Sequence, residues 1–349
     1  MPSPLVTSVG DGAISFRLAD PDAAREAVSL WCDLELGDTR FGPVPGGWAL
    51  DLPVGGRDDP AIDRIEYLFD VDGTLGLDPS NPLALPGAFG DRSWLPLLGY
   101  AAPAWLDIES EAGERAAAMI EDTPADTVEL EVWTPANAGV GEPLPLLIAH
   151  DGPEMDEYGA LTRFVGAGIA AGRLPRMRVA LLAPGARNEE YAANPAYAAT
   201  LVDHVVPFLA GSFPTPVAPV LMGQSLGAVA ALHAAWTSPG VFSGLFLESG
   251  SFFTAELDPQ ESDFEFWPEV TGFVATVLAA EQAAPGVPAI AIGCGSAEEN
   301  HANNRLMADH LARTGADVTW SEVRDGHTWT CWRDLLNPAL TDLLRKVFS

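Results

Sequence analysis

Short apolar runs separated by clusters of Gly, Pro and Asp fill the first third of the chain, and a different rhythm fills the rest. The runs at 13–18, 29–34, 48–52 and 65–69 have strand length and are bounded by turn residues, with Gly46-Gly47 and Gly55-Gly56 marking turns. Residues 1–105 therefore read as all-β, a small β-sandwich. Trp31 and Trp48 lie in these strand-like runs and read as core. Residues 78–105 are rich in Pro, Gly and aromatics and read as an ordered, irregular connection packed on both halves.

From about 126 onward apolar runs alternate with helix-periodic stretches. Strands are predicted at 128–134, 144–150, 178–183, 218–222, 244–248, 289–293 and 317–323. Helices are predicted at 226–237, at 304–314 and, C-terminally, at 332–344. Several strands are continuously apolar, as a parallel sheet covered on both faces requires. The alternation argues for an α/β domain with an open, doubly wound, mostly parallel sheet. The division predicted is an immunoglobulin-like β-sandwich at 1–105, a linker at 106–125 and a catalytic domain at 126–349.

Chemistry enters at Gly223-Gln224-Ser225-Leu226-Gly227, the only G-x-S-x-G in the chain. APVLM precedes it and LGAVAALHAAW follows, giving strand, sharp turn and helix. A serine on such a turn is held above the sheet, and the helix aims free N–H groups at developing negative charge. A serine hydroxyl needs a base. Of six histidines, His204, His233 and His310 fall within helical patterns, His301 sits in a polar loop, and His150 ends a strand before the serine. His327, in Asp325-Gly326-His327-Thr328-Trp329 after the last strand, is the expected base. The acid belongs on the loop after 289–293, where Glu298 is favoured, with Glu299 next and Asp325 open. His150, Asp151, Glu154, Arg187, Tyr191 and Trp329 are the substrate-pocket candidates. Trp329 and Trp332 read either as pocket wall or as core.

These motifs resemble the enterochelin (ferric-siderophore) esterases and the wider esterase D group of α/β-hydrolases. The resemblance is carried by HDGPEMDEYGAL at 150–161, ARNEEYAANPAY at 186–197, GQSLGAVAALHAAWTSPGVFSGLFLESGSFF at 223–253, GSAEENHANNRL at 295–306 and DGHTWTCWRDLL at 325–336. It implies an α/β-hydrolase fold and a cytoplasmic carboxylic-ester hydrolase with no metal and no cofactor. It also implies Ser225, Glu298 and His327 as a triad, oxyanion donors at the Leu226 N–H and at Gly152 or Glu154 of the Asp-Gly loop, since Pro153 has no N–H, and an N-terminal β-domain like that of the siderophore esterases.

Charge changes the substrate expected. The formal net charge is −31, from 49 acidic against 18 basic residues, with Lys346 the single lysine. Such a field repels nucleic acid and anionic membranes, so neither is an expected partner. It reads as a solubility adaptation or as steering for cationic substrates. Arg187, Arg163 and Arg333 are the few cations near the expected site. The stretch ELDPQESDFEFWPE at 256–269 holds six acidic residues with Phe264, Phe266 and Trp267, and reads as a lid or an exposed loop. As a lid it suits a neutral or cationic ester better than an anionic chelate.

Cys32, Cys294 and Cys331 form no metal-ligand spacing and read as free buried thiols. No run of about 18 apolar residues occurs, so no membrane span is expected. Met1-Pro2-Ser3-Pro4 lacks the marks of a secretory signal, which makes a cytoplasmic enzyme the expectation. The partner expected is a small-molecule ester, and an edge of the β-domain leaves room for a homodimer. Two other readings use the same residues: acyl transfer to an alcohol, and an inactive hydrolase scaffold whose β-domain binds a glycan.

Overall fold

In the computed structural model, which describes residues 6–10, 12–54, 62–139, 141–282 and 286–348, the chain divides into two units. One comprises Met1–Ala101, Gly295–Glu299 and Val323–Cys331; the other comprises Ala102–Cys294, Asn300–Glu322 and Trp332–Ser349. The Gly55-Gly56 turn and the Met1-Pro2-Ser3-Pro4 terminus lie outside the described residues.

The first unit contains β1 (Ser8–Gly10), β2 (Ala13–Ala19), β3 (Val28–Trp31), β4 (Gly42–Val44), β5 (Gly47–Pro53), β6 (Arg64–Val71), β7 (Thr74–Gly76), β8 (Ala84–Leu85) and β9 (Arg92–Pro96). They form two antiparallel sheets, ordered β1-β2-β5-β4 and β3-β6-β9-β8, with β7 on β6. Period-2 alternation on β2 sends Ile14, Phe16 and Leu18 inward, where they meet Leu30, Ile65, Tyr67 and Phe69 of the other sheet. The Phe16 and Tyr67 rings pack edge-on at 4.9 Å. This is the expected sandwich, with three departures. Residues 78–105 are not wholly irregular, since β8 and β9 lie there and β9 pairs with β6. The strand read at 29–34 ends at Trp31. Trp31 itself is exposed, with the Arg92 guanidinium 4.7 Å from its ring centre, and Trp48 is only half-buried.

The second unit is built on β10 (Gly113–Thr123), β11 (Asp126–Pro135), β12 (Leu146–Ala149), β13 (Arg178–Leu182), β14 (Val220–Gln224), β15 (Gly244–Glu248), β16 (Ala289–Gly295) and β17 (Val318–Val323). Their order is β10-β11-β13-β12-β14-β15-β16-β17. The pairs from β13 through β16 are parallel, while β10 and β11 run antiparallel at one edge. Every residue of β12, β13, β14 and β15 is buried, as a sheet covered on both faces demands. Leu146 and Ile148 join a core with Val205, Leu209, Val229, Phe273 and Leu311 from the helices, and Leu147 is buried on the opposite face. The stretch 106–125, read as a linker, carries β10, which pairs with β11 almost along its length.

The C-terminal helix read at 332–344 is three pieces: helix Trp329–Leu335, a wider turn Leu336–Leu340 broken at Asn337, and helix Thr341–Phe348. His301 opens helix His301–Arg313 and pairs with Glu322 at 2.8 Å, so it is not in a loop. Among the described residues no helix is long and apolar enough to cross a membrane.

Candidate active site

Ser225 sits between β14 and helix Leu226–Thr237 with φ 55° and ψ −122°, a conformation that L-residues adopt only when their surroundings enforce it. The surroundings are visible. The Ser225 N–H donates to the Glu248 carbonyl at 2.9 Å, and the Ser225 carbonyl accepts from Ala228 and Ser251 N–H groups, each at 3.1 Å. A Cβ on Gly223 would lie 2.3 Å from the Gly227 carbonyl oxygen, so only glycine lets the turn close. Gln224 points inward, its amide donating to Glu248 at 3.0 Å and joining β14 to β15. Leu226 begins the helix, whose first N–H groups have no intrahelical acceptor.

The Ser225 hydroxyl oxygen lies 3.1 Å from that of Ser251. Ser251 belongs to the tight turn after β15, in which Ser249 has φ 47°. A buried asparagine group holds this turn. Asn304 accepts from the Gly250 N–H at 2.8 Å and donates to the Gly250 carbonyl at 2.7 Å, while Asn300 donates to the Ser249 carbonyl at 3.3 Å. Trp332 donates its indole N–H to the Ser249 hydroxyl at 3.0 Å, which places it in the core. Asp258, within the acidic stretch, is buried and ties Asn303 to the Thr254 N–H, each at 2.7 Å. Burial pushes the Asp258 carboxyl up, against these two hydrogen bonds. Trp267 from the same stretch stacks on Phe253 at 5.7 Å. Part of the expected lid is thus structural.

The Asp-Gly loop follows β12. Asp151 is left-handed (φ 46°), and its buried carboxylate takes both forks of Arg187, at 2.8 and 2.7 Å. Arg187, its side chain one-third exposed, is therefore committed to an ion pair. A Cβ on Gly152 would meet the Leu181 backbone at 2.4 Å, so the loop lies directly on β13. Gly152 and Glu154 occupy the first turn of helix Gly152–Glu157, with their N–H groups at its open end. His150 is wholly buried. Its Nδ1–H donates to the Met222 carbonyl at 3.0 Å and its ring packs edge-on to Tyr191. Burial, against the pull of Asp151, drives its pKa down to about 4. The tautomer follows because a carbonyl only accepts. A neutral, buried ring suits support of the loop. Gly227 packs here too, since a Cβ on it would lie 3.2 Å from His150 Cβ.

The other unit carries the expected base and acid. His327 Nδ1 lies 2.7 Å from Glu298 Oε2, and the Glu298 side chain is fully buried against 23% exposure for His327. Glu298 Oε1 accepts the Gly295 N–H at 3.0 Å. Glu299 is exposed, so of the two neighbours it is Glu298 that faces the imidazole. Burial opposes charge on His327, but Glu298, with Asp33 and Glu299 behind it, outweighs this and raises its pKa. Asp325 is turned elsewhere, to Arg64 and to the Gly326 N–H. The His327 N–H donates to the Asp33 carbonyl at 3.1 Å.

The remaining candidates scatter. Arg163 is exposed and bonds the Leu106 carbonyl. Arg333 pairs with Asp334 at 2.8 Å. Trp329 is half-buried beside Thr328. Of the three cysteines, Cys294 and Cys331 are buried and Cys32 is partly so. Among the described residues no group of three or more His, Cys, Asp or Glu could hold a metal ion. Sequence reasoning passed over Ser251, Asn304 and Arg64. For Ser251 and Asn304 a signal existed, since both lie inside quoted motif segments, but neither type announces a role there.

Comparison with known proteins agrees with this fold. The Esterase family model matches residues 123–343. No protein in the curated set matches. Among solved structures, enterobactin esterase from Shigella flexneri, with 2,3-di-hydroxy-N-benzoyl-glycine present, is 18% identical with a TM-score of 0.75, covering 99% of this chain and 98% of its own. Ferric enterobactin esterase from Salmonella typhimurium is 18% identical with a TM-score of 0.75, covering 96% and 94%. A ferulic acid esterase is 15% identical with a TM-score of 0.58, covering 67% of this chain and 99% of its own. The chain belongs to the Esterase family, carboxylic ester hydrolases on an α/β-hydrolase fold.

Proposed function

We propose that the protein hydrolyses carboxylic esters through an acyl-enzyme on Ser225, with His327 as general base and Glu298 as its orienting acid. The observation that carries this reading is the 2.7 Å contact between His327 Nδ1 and the buried Glu298 carboxylate. It fixes the tautomer, leaving Nε2 as the acceptor for a serine proton. Ser225 on its strained elbow supplies the complementary half.

In this mechanism His327 Nε2 takes the Ser225 proton as the hydroxyl oxygen attacks the ester carbonyl. The oxyanion is held by the Leu226 N–H and the Gly152 N–H, with Glu154 the other possible donor at the same loop. Losing one such donor typically costs about 10²–10³ in rate. The imidazolium returns its proton to the leaving alcohol, and water repeats the cycle on the acyl-enzyme. His150, Asp151 and Tyr191 support the oxyanion loop, and Trp329 adjoins the base.

The solved relatives act on enterobactin or on ferulic acid esters by name. For this chain we favour a neutral or cationic ester, because Arg187, Arg163 and Arg333 are each engaged within the protein. The acidic residues at 256–269 add to that preference. Rapid mixing with p-nitrophenyl acetate, followed by acid quench and peptide mass analysis, tests the mechanism. Acetyl on the peptide bearing Ser225 is expected. Acetyl on another residue, or turnover undiminished in Ser225→Ala, would refute it.

A further inference from the structure

We propose that Arg64 is a positioning residue for the general base, so that the N-terminal β-sheets form part of the catalytic apparatus. The inference rests on the reading of His327 as base. Arg64 lies at the start of β6 and its side chain is 1% exposed. One arm donates to Glu66, two residues on, at 2.5 Å. The other donates to the Asp325 carboxylate and to the Thr328 hydroxyl, the latter at 2.8 Å. Asp325 and Thr328 flank His327 two residues before and one after, so a single guanidinium grips its loop on both sides.

Backbone contacts complete the grip. The His327 N–H is tied to the Asp33 carbonyl beyond β3, and a Cβ on Gly326 would stand 2.3 Å from that same oxygen. A Cβ on Gly295 would stand 2.4 Å from the Asp325 carbonyl, so the loop that carries Glu298 packs directly on the loop that carries His327. A buried guanidinium is costly to desolvate, and its planar fork suits holding fixed partners better than a lysine would. Glu298 faces His327; the other charges that act on it are Glu299, on the same loop but turned to solvent, and Asp33 on another loop, with Arg92 of β9 bound to Asp33. Burial, with some help from Glu66 and against Arg64, pushes Asp325 up to about 7. The guanidinium thus serves two acids at close quarters.

The test compares Arg64→Lys and Thr328→Val with wild type on p-nitrophenyl butyrate across pH 5–9, with His327→Gln alongside. For Arg64→Lys we expect kcat to fall on the order of 10²-fold with KM little changed, since small displacements of a catalytic group cost that much. The acid limb of the kcat profile should move down toward pH ~6.5, the ordinary imidazole value, as the Glu298 contact loosens. Thr328→Val should move both in the same direction by less. Wild-type kcat and acid limb in a folded Arg64→Lys protein would overturn the proposal. If Arg64→Lys does not fold, Thr328→Val decides: an unmoved kcat and acid limb would overturn it. Activity surviving in His327→Gln would instead mean that the reading of the base has failed.

Discussion

At His327, burial and charge act in opposite directions, and charge wins: burial disfavours the imidazolium, while Glu298, then Asp33 and Glu299, favour it. The sign of the consequence can be worked through. The folded value is raised above the unfolded one of about 6.5. Protonated His327 therefore stabilises the fold at pH below the unfolded value, and this contribution is lost as pH rises through the folded value. The difference in urea midpoint between wild type and His327→Gln should be largest near pH 6 and shrink toward pH 9. A difference that grows with pH would contradict the assigned pair. The same shift places the acid limb of kcat/KM above the ordinary imidazole value. Legibility at this scale was uneven. Ser225 and His327 stood out because elbow and loop context single them out. Glu298 and Glu299 are chemically identical neighbours, and only the path of the loop after β16 turns one inward and the other to solvent.

Among the elements, the turn after β15 couples packing to chemistry. Asn304 grips both sides of the Gly250 peptide, and the next residue, Ser251, touches the Ser225 hydroxyl. Asn304→Ala should destabilise the fold by about 1–3 kcal/mol, the cost of leaving buried peptide groups unsatisfied. It should also lower kcat for p-nitrophenyl butyrate more than it changes KM, because the turn beside Ser225, the proposed nucleophile, is freed. A loss of stability with kcat intact would separate the two roles. Gly223→Ala should cost about 1–3 kcal/mol, as overpacking does, and remove activity, which urea unfolding and ester turnover would show. Most elements of the parallel sheet were readable, because β12 through β15 are largely apolar and helix Leu226–Thr237 is apolar along almost its whole length. β10 was not. Its GERAAAMIEDT lies mostly exposed at a sheet edge, so neither alternation nor a buried run marks it.

For the whole molecule, the charge of −31 sets the long-range behaviour. Screening at physiological ionic strength acts beyond about 8 Å, so the field matters most for approach. Cationic esters should show kcat/KM falling with added salt, anionic esters rising, and neutral esters little change. A salt response independent of substrate charge would remove steering from the account. The two sheets at the N-terminus were legible as a sandwich, but not what they hold. Arg64 and Asp325 stand 261 positions apart, and no local pattern joins them. Partners at that separation become visible only when the fold closes.

Turnover of p-nitrophenyl butyrate by wild type and by Ser225→Ala, both checked for folding by circular dichroism, tests the central claim most directly. The account predicts steady turnover by wild type and a rate at solution background for Ser225→Ala. Equal turnover by the two proteins would show that Ser225 is not the nucleophile.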